Sequence, residues 1–449
     1  MEVATDFSYG YSGSSTVTTF GYEKKFSFAH SSEIKEDHAV PCFFYGNIKD
    51  AYLASRCMSV LANTVSSHFA IAPGALAKLR DPIVSVGNDE LLFEAFSSCN
   101  SVYARVDILK NGLDGEFIHS GCTNIDFNDE TIRAFNAVSP SEKLLIGVGA
   151  KEVQFITKKA ETTEKKVALP NRWIKGLGNV QVYLSEMELA FELKKIEAIQ
   201  LFKTVPKTPI KADYYLCKTG PLFSFSPIQK PNSIKVGGIH RLNLLQNLIQ
   251  SVNRLFIYKS DAEQSFAMVL DFGTIQMTYL FSNGVYRGFS GEGKQLEYLI
   301  ENIPTELILG MNSIFKTNEV FNPTMISIEN DIQLNTMQGM QATLSSVGLL
   351  GFNLYNNQYF YRRLPFKMER LLGFNPRLKN AKAILEKGEI DILEERDTYV
   401  KAKVKGSADV YHTVIKNNTD YQCTCNWYTN HKNERGVCKH ILALKMKED

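Results

Sequence analysis

Four potential metal ligands lie close together near the C-terminus of the chain. They are Cys423, Cys425, Cys438 and His440, which form the pattern C-x-C, twelve residues, then C-x-H. Three thiolates and one imidazole make up a tetrahedral shell typical of structural zinc, and soft sulfur ligands favour that metal. Because this shell leaves no open position for a substrate, the pattern predicts a structural zinc rather than a catalytic one. His431 is the alternative imidazole, but His440 has the paired spacing.

No other pattern in the chain predicts catalysis. The other five cysteines are scattered singly through apolar stretches, where they are expected to be small buried side chains. The run Gly288-Phe-Ser-Gly-Glu-Gly293 lacks the Lys-Ser/Thr of a phosphate loop and the second glycine of a serine-nucleophile elbow. A tight turn before a helix over 294–303 explains it better. We therefore expect that the protein is not an enzyme and has no catalytic residues.

Composition and charge are ordinary for a globular protein of 449 residues, with a net charge of +2. From Arg362 to Asp449 the sequence holds 18 Lys+Arg against 12 Asp+Glu, a balance of +6, so the preceding residues sum to −4. The positive charge accompanies the metal motif and is compatible with an anionic partner. The absence of a long apolar run and of a signal-peptide pattern predicts a cytoplasmic protein without a membrane partner.

Hydrophobic patterning predicts an α+β multidomain protein. The stretches 84–183 and 212–282 both run strand, strand, strand, helix, strand, strand, strand, which indicates an internal duplication or a coincidence. This order resembles the half-domains of DNA sliding clamps. Between the two units, a stripe of apolar residues from Leu189 to Phe202 predicts a linker helix. The helix predicted over 50–69 precedes the first unit.

Residues 305–363 show another order, three helices and then a hairpin that turns at Asn356-Asn357. This is the order of a winged helix. The third helix, predicted from Thr336 to Val347, contains no Lys, Arg or His. Since phosphate contacts depend on Lys and Arg, we expect a structural or protein-binding role for this segment.

The last domain begins with a helix predicted from Pro376 to Glu386. Lys401, Lys403 and Lys405 then alternate with apolar residues along a strand. Exposed edge strands often carry lysine, which blocks pairing with other chains, and we favour that explanation over phosphate contact. The predicted domains are residues 1–83 (irregular and helical), 84–183 (first α+β unit), 184–300 (linker helix and second unit), 301–366 (winged-helix-like segment) and 367–449 (zinc-bound hairpin and helix).

The C-x-C, loop, C-x-H pattern before a helix resembles the SWIM zinc finger, a module regarded as binding DNA or proteins. The upstream chain also resembles the bacterial SWIM zinc finger family proteins. That resemblance implies association with a MoxR-type AAA+ ATPase and a von Willebrand A-domain protein. It is carried by Asp81–Ser85, Phe96–Asp107, Leu113–Phe117, Thr123–Phe127, Leu169–Gly176, Gly238–Leu242, Arg287–Gly293 and Leu364–Phe366.

Two hypotheses follow from these residues. In the first, a non-catalytic zinc protein engages DNA or a protein partner through its C-terminal finger. In the second, the chain is a protein-only scaffold or adaptor for the ATPase system. The candidate contact residues of the finger are basic and aromatic, and they could equally form a solvated rim around the zinc. These candidates are Trp427, Tyr428, Lys432, Arg435, Lys439, Lys445 and Lys447.

Overall fold

The structure is a computed structural model that combines helices with several mostly antiparallel sheets, so the α+β prediction is confirmed. The sequence also predicts a strand that ends near Leu169 and a helix cap at Asn128 or Asp129, and Leu169 and Asn128 lie outside the residues that the structure describes. Those residues are 10–11, 16–20, 23–29, 31–32, 42–67, 82–87, 89–125, 127, 129–149, 152–157, 171–208, 210, 212–260, 265–283, 288–291, 293, 295–300, 305–317, 320–346, 348–362 and 375–448.

The strands, in chain order, are β1 Gly10–Tyr11, β2 Thr16–Phe20, β3 Glu23–Ala29, β4 Ser31–Ser32, β5 Cys42–Ile48, β6 Ile83–Gly87, β7 Glu90–Phe96, β8 Val102–Ile108, β9 Leu113–Phe117, β10 Gly121–Asn124, β11 Leu144–Gly149, β12 Glu152–Thr157, β13 Glu188–Lys194, β14 Tyr214–Thr219, β15 Leu222–Ser226, β16 Ile234–Val236, β17 Arg254–Lys259, β18 Ser265–Asp271, β19 Ile275–Ser282, β20 Val320–Phe321, β21 Leu350–Asn353, β22 Gln358–Tyr361, β23 Ile390–Arg396, β24 Tyr399–Lys405, β25 Tyr411–Asn417 and β26 Asp420–Cys423.

The α-helices are α1 Ala51–Ser66, α2 Asp129–Ala137, α3 Asn171–Ser185, α4 Lys195–Phe202, α5 Gly288–Gly291, α6 Gln295–Tyr298, α7 Thr305–Thr317, α8 Pro323–Glu329, α9 Leu334–Ser346, α10 Pro376–Glu386, α11 Asn426–His431 and α12 Lys439–Glu448. Shorter 3₁₀ segments occupy Lys110–Gly112, Ile239–Leu245, Ile249–Ser251 and Ser407–Asp409. Of the helices in the described part of the chain, none combines the length and apolarity that a membrane crossing requires.

An eight-stranded sheet forms the centre of the body, in the order β10-β6-β7-β8-β19-β18-β17-β13. Its middle pair joins β8 of the first predicted unit to β19 of the second, from Ile108↔Ile275 to Val102↔Phe281. Both strands are buried along their whole length. The two predicted units therefore share one sheet and one core.

A six-stranded sheet packs with this core, in the order β2-β3-β12-β11-β5-β9. Its strand β5 precedes the predicted boundary at residue 83, yet it pairs with β11 and β9 of the first unit. Helix α1 follows β5 as predicted, and Asp50 caps it by accepting a hydrogen bond from the backbone N–H of Leu53 at 2.9 Å. Residues 42–66 are therefore part of the first unit's packing.

The structure differs from the sequence predictions around the linker helix. Residues 188–194 form strand β13 on the edge of the large sheet, and only 195–202 are helical. The side chain of Glu197 accepts a hydrogen bond from the backbone N–H of Lys194, which starts the helix there. The apolar stripe from Leu189 to Phe202 does not form one buried helix face, because Leu189 and Ile196 are exposed. In the second unit, the helix predicted after Gly238 is 3₁₀-helical.

The predicted three helices and hairpin of the 301–366 segment are present as α7, α8, α9, β21 and β22, and β20 completes a sheet in the order β20-β22-β21. Helix α9 is largely buried, and it packs on α3. The hairpin is fixed to the large sheet through Phe352, whose carbonyl accepts a hydrogen bond from Arg105 at 2.6 Å and whose N–H donates to Gln181 at 2.6 Å. Arg362 forms a buried ion pair with Glu94.

The C-terminal sheet has the order β23-β24-β25-β26. Strand β24, which carries Lys401, Lys403 and Lys405, is therefore an interior strand with a neighbour on each side. The edge-protection explanation for this lysine row is wrong, because β23 occupies the edge and was not recognised in the sequence. Helices α10 and α12 pack together, and α12 packs on one face of the sheet, against β24, β25 and β26.

A segment that we name the bridging segment, residues 288–300, joins the body to the C-terminal module. At its start, Phe289 is fully buried in the body core, and its N–H donates to Asn100 O at 2.7 Å. Towards its end, Leu296 is buried in the core of the C-terminal module, with Leu299 and Ile300 packed beside it. The predicted helix over 294–303 is realised as the short α6.

Candidate metal centre

The four predicted ligands sit at element ends that bring them to one point. Cys423 ends β26, and Cys425 is the N-cap of α11. Cys438 immediately precedes α12, and His440 lies in the first turn of that helix. The end of β26 and the start of α11 thus supply one sulfur each, while the start of α12 supplies the third sulfur and the imidazole.

The geometry of this cluster fits a four-coordinate metal. The four ligand atoms all lie within 4.8 Å of one another, and all four side chains are at most 5% exposed. Cys423 Sγ lies 3.7 Å from His440 Nδ1. A tetrahedron with zinc–sulfur bonds of about 2.3 Å separates its sulfurs by about 3.8 Å, so donor atoms that lie within 4.8 Å of one another can close on such a shell. The structure brings His440 to the sulfurs rather than His431.

Backbone N–H groups orient two of the sulfurs. Tyr428 N–H donates to Cys425 Sγ at 3.5 Å, and Ile441 N–H donates to Cys438 Sγ at 3.4 Å. Such bonds stabilise a thiolate, because they place partial positive charge beside the sulfur. The local helix starts therefore prepare both sulfurs for coordination.

The three thiols of the cluster shift one another's pKa values. Hydrogen bonds from Cys423 and Cys438, and to a lesser extent the N–H of Tyr428, hold the pKa of Cys425 well below its usual range. The hydrogen bond with Cys425 raises the pKa of Cys423. Cys438 has a pKa raised to about 11, because its bond with Cys425 and its burial outweigh the bond with Cys423 that lowers it. The thiolate form is therefore favoured at Cys425, and a bound divalent cation would favour it at all three cysteines.

The imidazole of His440 is supported by a second histidine. The ring of His412 on β25 lies 4.5 Å from that of His440, measured between centroids, with the planes tilted by 44°. Burial lowers the pKa of His412, and the neighbouring His440 adds to this effect. His412 therefore packs as a neutral ring against the ligand and restricts its orientation.

The loop between α11 and α12 is held by Arg377 of helix α10. Its guanidinium donates to the carbonyls of Arg435 and Gly436 at 3.0 Å each and of Val437 at 3.1 Å. It also lies 4.2 Å from the ring centroid of Trp427, whose Nε1–H donates to Gly436 O at 2.9 Å. Arg377 thus orders the loop that leads directly to Cys438.

Gly436 lets the same loop meet the bridging segment. Its φ is +77°, and a Cβ at this position would lie 2.4 Å from the carbonyl carbon of Gly293. Only glycine accepts this φ without strain and permits such close approach of two backbones. The final glycine of the Gly288–Gly293 run therefore serves packing against the metal loop.

The predicted contact residues have different surroundings. Trp427 and Tyr428 are half-buried in the module, and Lys432 is exposed at the end of α11. Lys445 pairs with Glu297 at 2.6 Å and lies over the ring of Tyr421. The role of the predicted contact residues in binding a partner stays a prediction. The other lysines donate within the module, Lys439 to Ser407 Oγ and Lys447 to Ile390 O, and Arg435 is half-buried.

Sequence reasoning missed Arg377, His412, Glu297 and Gly293. Arg377 follows Pro376 at the start of a predicted helix, a place without a specific signal for a contact more than fifty residues away. Gly293 ends the glycine-rich run for which the sequence predicts a tight turn before a helix. His412 lies two residues before the buried Val414 on the same strand. Because side chains two residues apart point to the same face, its inward orientation could have been inferred.

Comparisons with known proteins add little to this site. No family model matches the chain, and no curated protein matches it. Solved structures that are similar to part of it include the following three. Proliferating Cellular Nuclear Antigen from Entamoeba histolytica has 10% identity and a TM-score of 0.36, and the match covers 54% of this chain and 98% of that one.

The second is A. fulgidus PCNA bound to the C-terminal region of FEN-1, with 13% identity, a TM-score of 0.34, and coverage of 53% and 97%. The PCNA2–PCNA3 complex from Sulfolobus tokodaii has 9% identity, a TM-score of 0.34, and coverage of 53% and 98%. These are sliding clamps, the class that the strand order resembles. At such TM-scores the likeness carries no conclusion about fold or function.

Proposed function

We propose that the chain is a non-catalytic zinc-binding protein of the SWIM zinc finger type, and that it engages DNA through its C-terminal module. The observation that carries the metal assignment is the buried Cys423, Cys425, Cys438 and His440 set, with donor atoms within 4.8 Å of one another. Its sulfur-rich composition favours zinc. Four protein ligands fill the shell, which supports a structural role and no enzymatic one.

We extend the proposal to the body, as a duplicated and clamp-like structure followed by a winged-helix-like segment. The support is the shared sheet through β8 and β19, and the sheet order β20-β22-β21 after three helices. Because α9 is largely buried against the body and lacks Lys and Arg, we assign the winged-helix-like segment a structural or protein-binding role rather than DNA contact. DNA contact therefore belongs to the C-terminal module, where the excess positive charge lies.

The metal assignment is tested by measuring zinc in purified wild type and in Cys438→Ser. We expect one zinc per wild-type chain and less than about a tenth of that in the variant, because a structural site needs all four ligands. Cys217→Ser is the matched control, since Cys217 is a buried cysteine of the body. Wild type without zinc, or a variant that keeps it, contradicts the assignment. An affinity for DNA that does not change with salt concentration contradicts the proposal that the C-terminal module binds DNA.

A protein-only adaptor role, for a MoxR-type AAA+ ATPase or a von Willebrand A-domain protein, is the second candidate. It is favoured by large apolar side chains that are more than half exposed on α7, α8 and α9, namely Leu309, Met325, Ile328 and Leu334. Co-purification of such an ATPase before and after nuclease treatment separates the two candidates. A partner that persists after nuclease treatment supports the adaptor, and one that is lost supports DNA binding.

A further inference from the structure

We propose that the nucleic-acid-binding surface of the C-terminal module is the open face of its four-stranded sheet, and that this face takes a single strand. We name it the open face, and it comprises the outward side chains of β23 to β26. The inference rests on the proposed function and specifies its surface and its ligand. It differs from the predicted contact residues around the metal, several of which the structure engages in contacts within the module.

The pleat separates the two faces of the sheet. On β24, Val400, Ala402 and Val404 are buried on the side of helix α12, whereas Lys403 is exposed. The lysine row must therefore project from the opposite face, because successive side chains point to opposite sides of a strand. On β25, the buried Val414 and the inward His412 place Tyr411, Thr413 and Ile415 on the open face.

The register arranges these residues as a basic and aromatic stripe. Across β24 and β25, Lys405 faces Tyr411, Lys403 faces Thr413, and Lys401 faces Ile415. Tyr399 begins β24 on the same face and lies six positions before Lys405. At about 3.3 Å per residue the two tyrosines lie roughly 20 Å apart along the strand, with the lysines between them. Alternating lysines are then about 7 Å apart, comparable to successive phosphates of an extended single strand.

Two of the lysines are available for a ligand. Lys405 is paired with Glu389 and Asp409, each at 3.1 Å. Across the residues that the structure describes, neither Lys401 nor Lys403 has an ion pair within 4.0 Å, and Glu394, which faces Lys401, is paired with Arg396. An interior strand needs no protection against pairing with other chains, so edge protection does not explain these unpaired lysines.

A single strand fits this face better than a duplex. The major groove admits one helix or a two-stranded ribbon, and a four-stranded sheet presented face-on is too wide for it. Unpaired bases stack on aromatic side chains of an open sheet, while lysines between them neutralise the backbone. Tyr411 is 49% exposed and can serve as such a stacking position. On the outer strand β23, Asp391 faces Lys403 and Glu394 faces Lys401, so the nucleic acid is expected to run on the β25 side of the lysine row, away from these carboxylates.

The test uses the full chain, a labelled oligothymidylate of about 15 nucleotides, and a duplex of equal length, with binding followed by fluorescence anisotropy. Lys401→Ala/Lys403→Ala should weaken single-strand binding about tenfold or more. It should also reduce the slope of log K against log[salt] by about 1.4, since each lost phosphate contact contributes about 0.7. Lys379→Ala/Lys382→Ala is the matched control, because these exposed lysines lie on α10, away from the open face.

Tyr411 provides a second, independent arm. Tyr411→Ala should weaken binding about tenfold, and Tyr411→Phe should restore wild-type affinity if the ring stacks on a base. Zinc content and the melting temperature of each variant establish that it is folded. Wild-type affinity in Lys401→Ala/Lys403→Ala, or a preference for duplex, overturns the inference and leaves DNA binding intact. Failure of the wild type to bind either oligonucleotide overturns both.

Discussion

Glu90 begins β7 beside two ionisable residues of the body core, Arg105 and Asp107. These form a buried ion pair at 2.9 Å, and each is 1% exposed. Burial raises the pKa of Glu90 to about 7, and the negative charge of Asp107 adds to the rise, while Arg105 opposes it. In the unfolded chain a glutamate has a pKa of about 4.3, so folding favours the protonated form of Glu90.

The sign of the pH dependence follows from that difference. Below about pH 4 both states hold the proton, and the free energy of unfolding carries no penalty from this group. As pH rises from about 4 to 7, the unfolded chain releases the proton first, so stability is lost across this window. Glu90→Gln should remove this loss and raise the free energy of unfolding by about 2 kcal/mol at pH 8, after allowance for partial exposure.

Denaturant unfolding of wild type and Glu90→Gln at several pH values between about 5 and 8 measures this effect. The two proteins should have similar stability at the acid end and diverge as pH rises. Glu116→Gln, on an exposed position of β9, is the control and should follow the wild type. A constant difference between Glu90→Gln and wild type at every pH would contradict the assignment.

At the scale of elements, helix α10 is the part of the chain that orders the metal loop. Arg377→Lys keeps the charge but loses the planar donors that reach three carbonyls, and it weakens the contact with Trp427. We expect a loss of about 2 kcal/mol in the free energy of unfolding. We also expect faster release of zinc to a chelator, because the loop before Cys438 becomes less ordered.

Zinc release can be followed with a chromogenic chelator, and Lys379→Ala on the same helix is the control. The equilibrium zinc content of Arg377→Lys should stay near one per chain, since its four ligands are untouched. Loss of zinc on purification would show that Arg377 is required for the site itself. An unchanged release rate would mean that the loop does not depend on α10.

The sequence predicted elements well where the signal is local. Helix α10 was predicted with its observed bounds, because Asn375-Pro376 marks a helix start and Gly388 follows its end. The metal ligands were found for the same reason, since C-x-C and C-x-H are short-range patterns. Helix α3 was missed, although Trp173, Leu177, Val180 and Leu184 have helical spacing and are buried.

Other features could not be predicted because they depend on long-range packing. Residues 188–194 became a strand only because β17 offers an unpaired edge of the large sheet. The interior position of β24 depends on β23, whose acidic sequence, Ile-Asp-Ile-Leu-Glu-Glu-Arg, carries a weak strand signal and contains a bulge. The open face is therefore visible only once the sheet order is known.

At the scale of the whole molecule, buried charges connect the end of the β21–β22 hairpin to the body. The ion pair of Arg362 with Glu94 is 1% exposed on both sides, and Tyr103 also donates to Glu94. Removing one partner leaves a buried charge uncompensated, so Glu94→Gln should cost about 3–5 kcal/mol. The double variant Glu94→Gln/Arg362→Met should be less destabilised than Glu94→Gln alone, because it removes that charge.

Chemical unfolding of wild type, both single variants and the double variant forms a double-mutant cycle. Coupling between the two sites should be large and favourable. Lys110 and Asp89, an exposed pair of the same body, serve for comparison and should show a coupling below about 1 kcal/mol. Additive effects at Glu94 and Arg362 would refute their role as a coupled pair.

The bridging segment also limits how the chain can be divided. Leu296 is 1% exposed among the buried residues of the C-terminal module, although about eighty residues separate it from the start of helix α10. A fragment beginning at residue 367 would leave bare the apolar surface that Leu296 covers, and it would lack Glu297, the partner of Lys445. For recombinant production, or for recombination between genes, the C-terminal module therefore needs the residues from Gly293 onwards and cannot be taken from residue 367 alone.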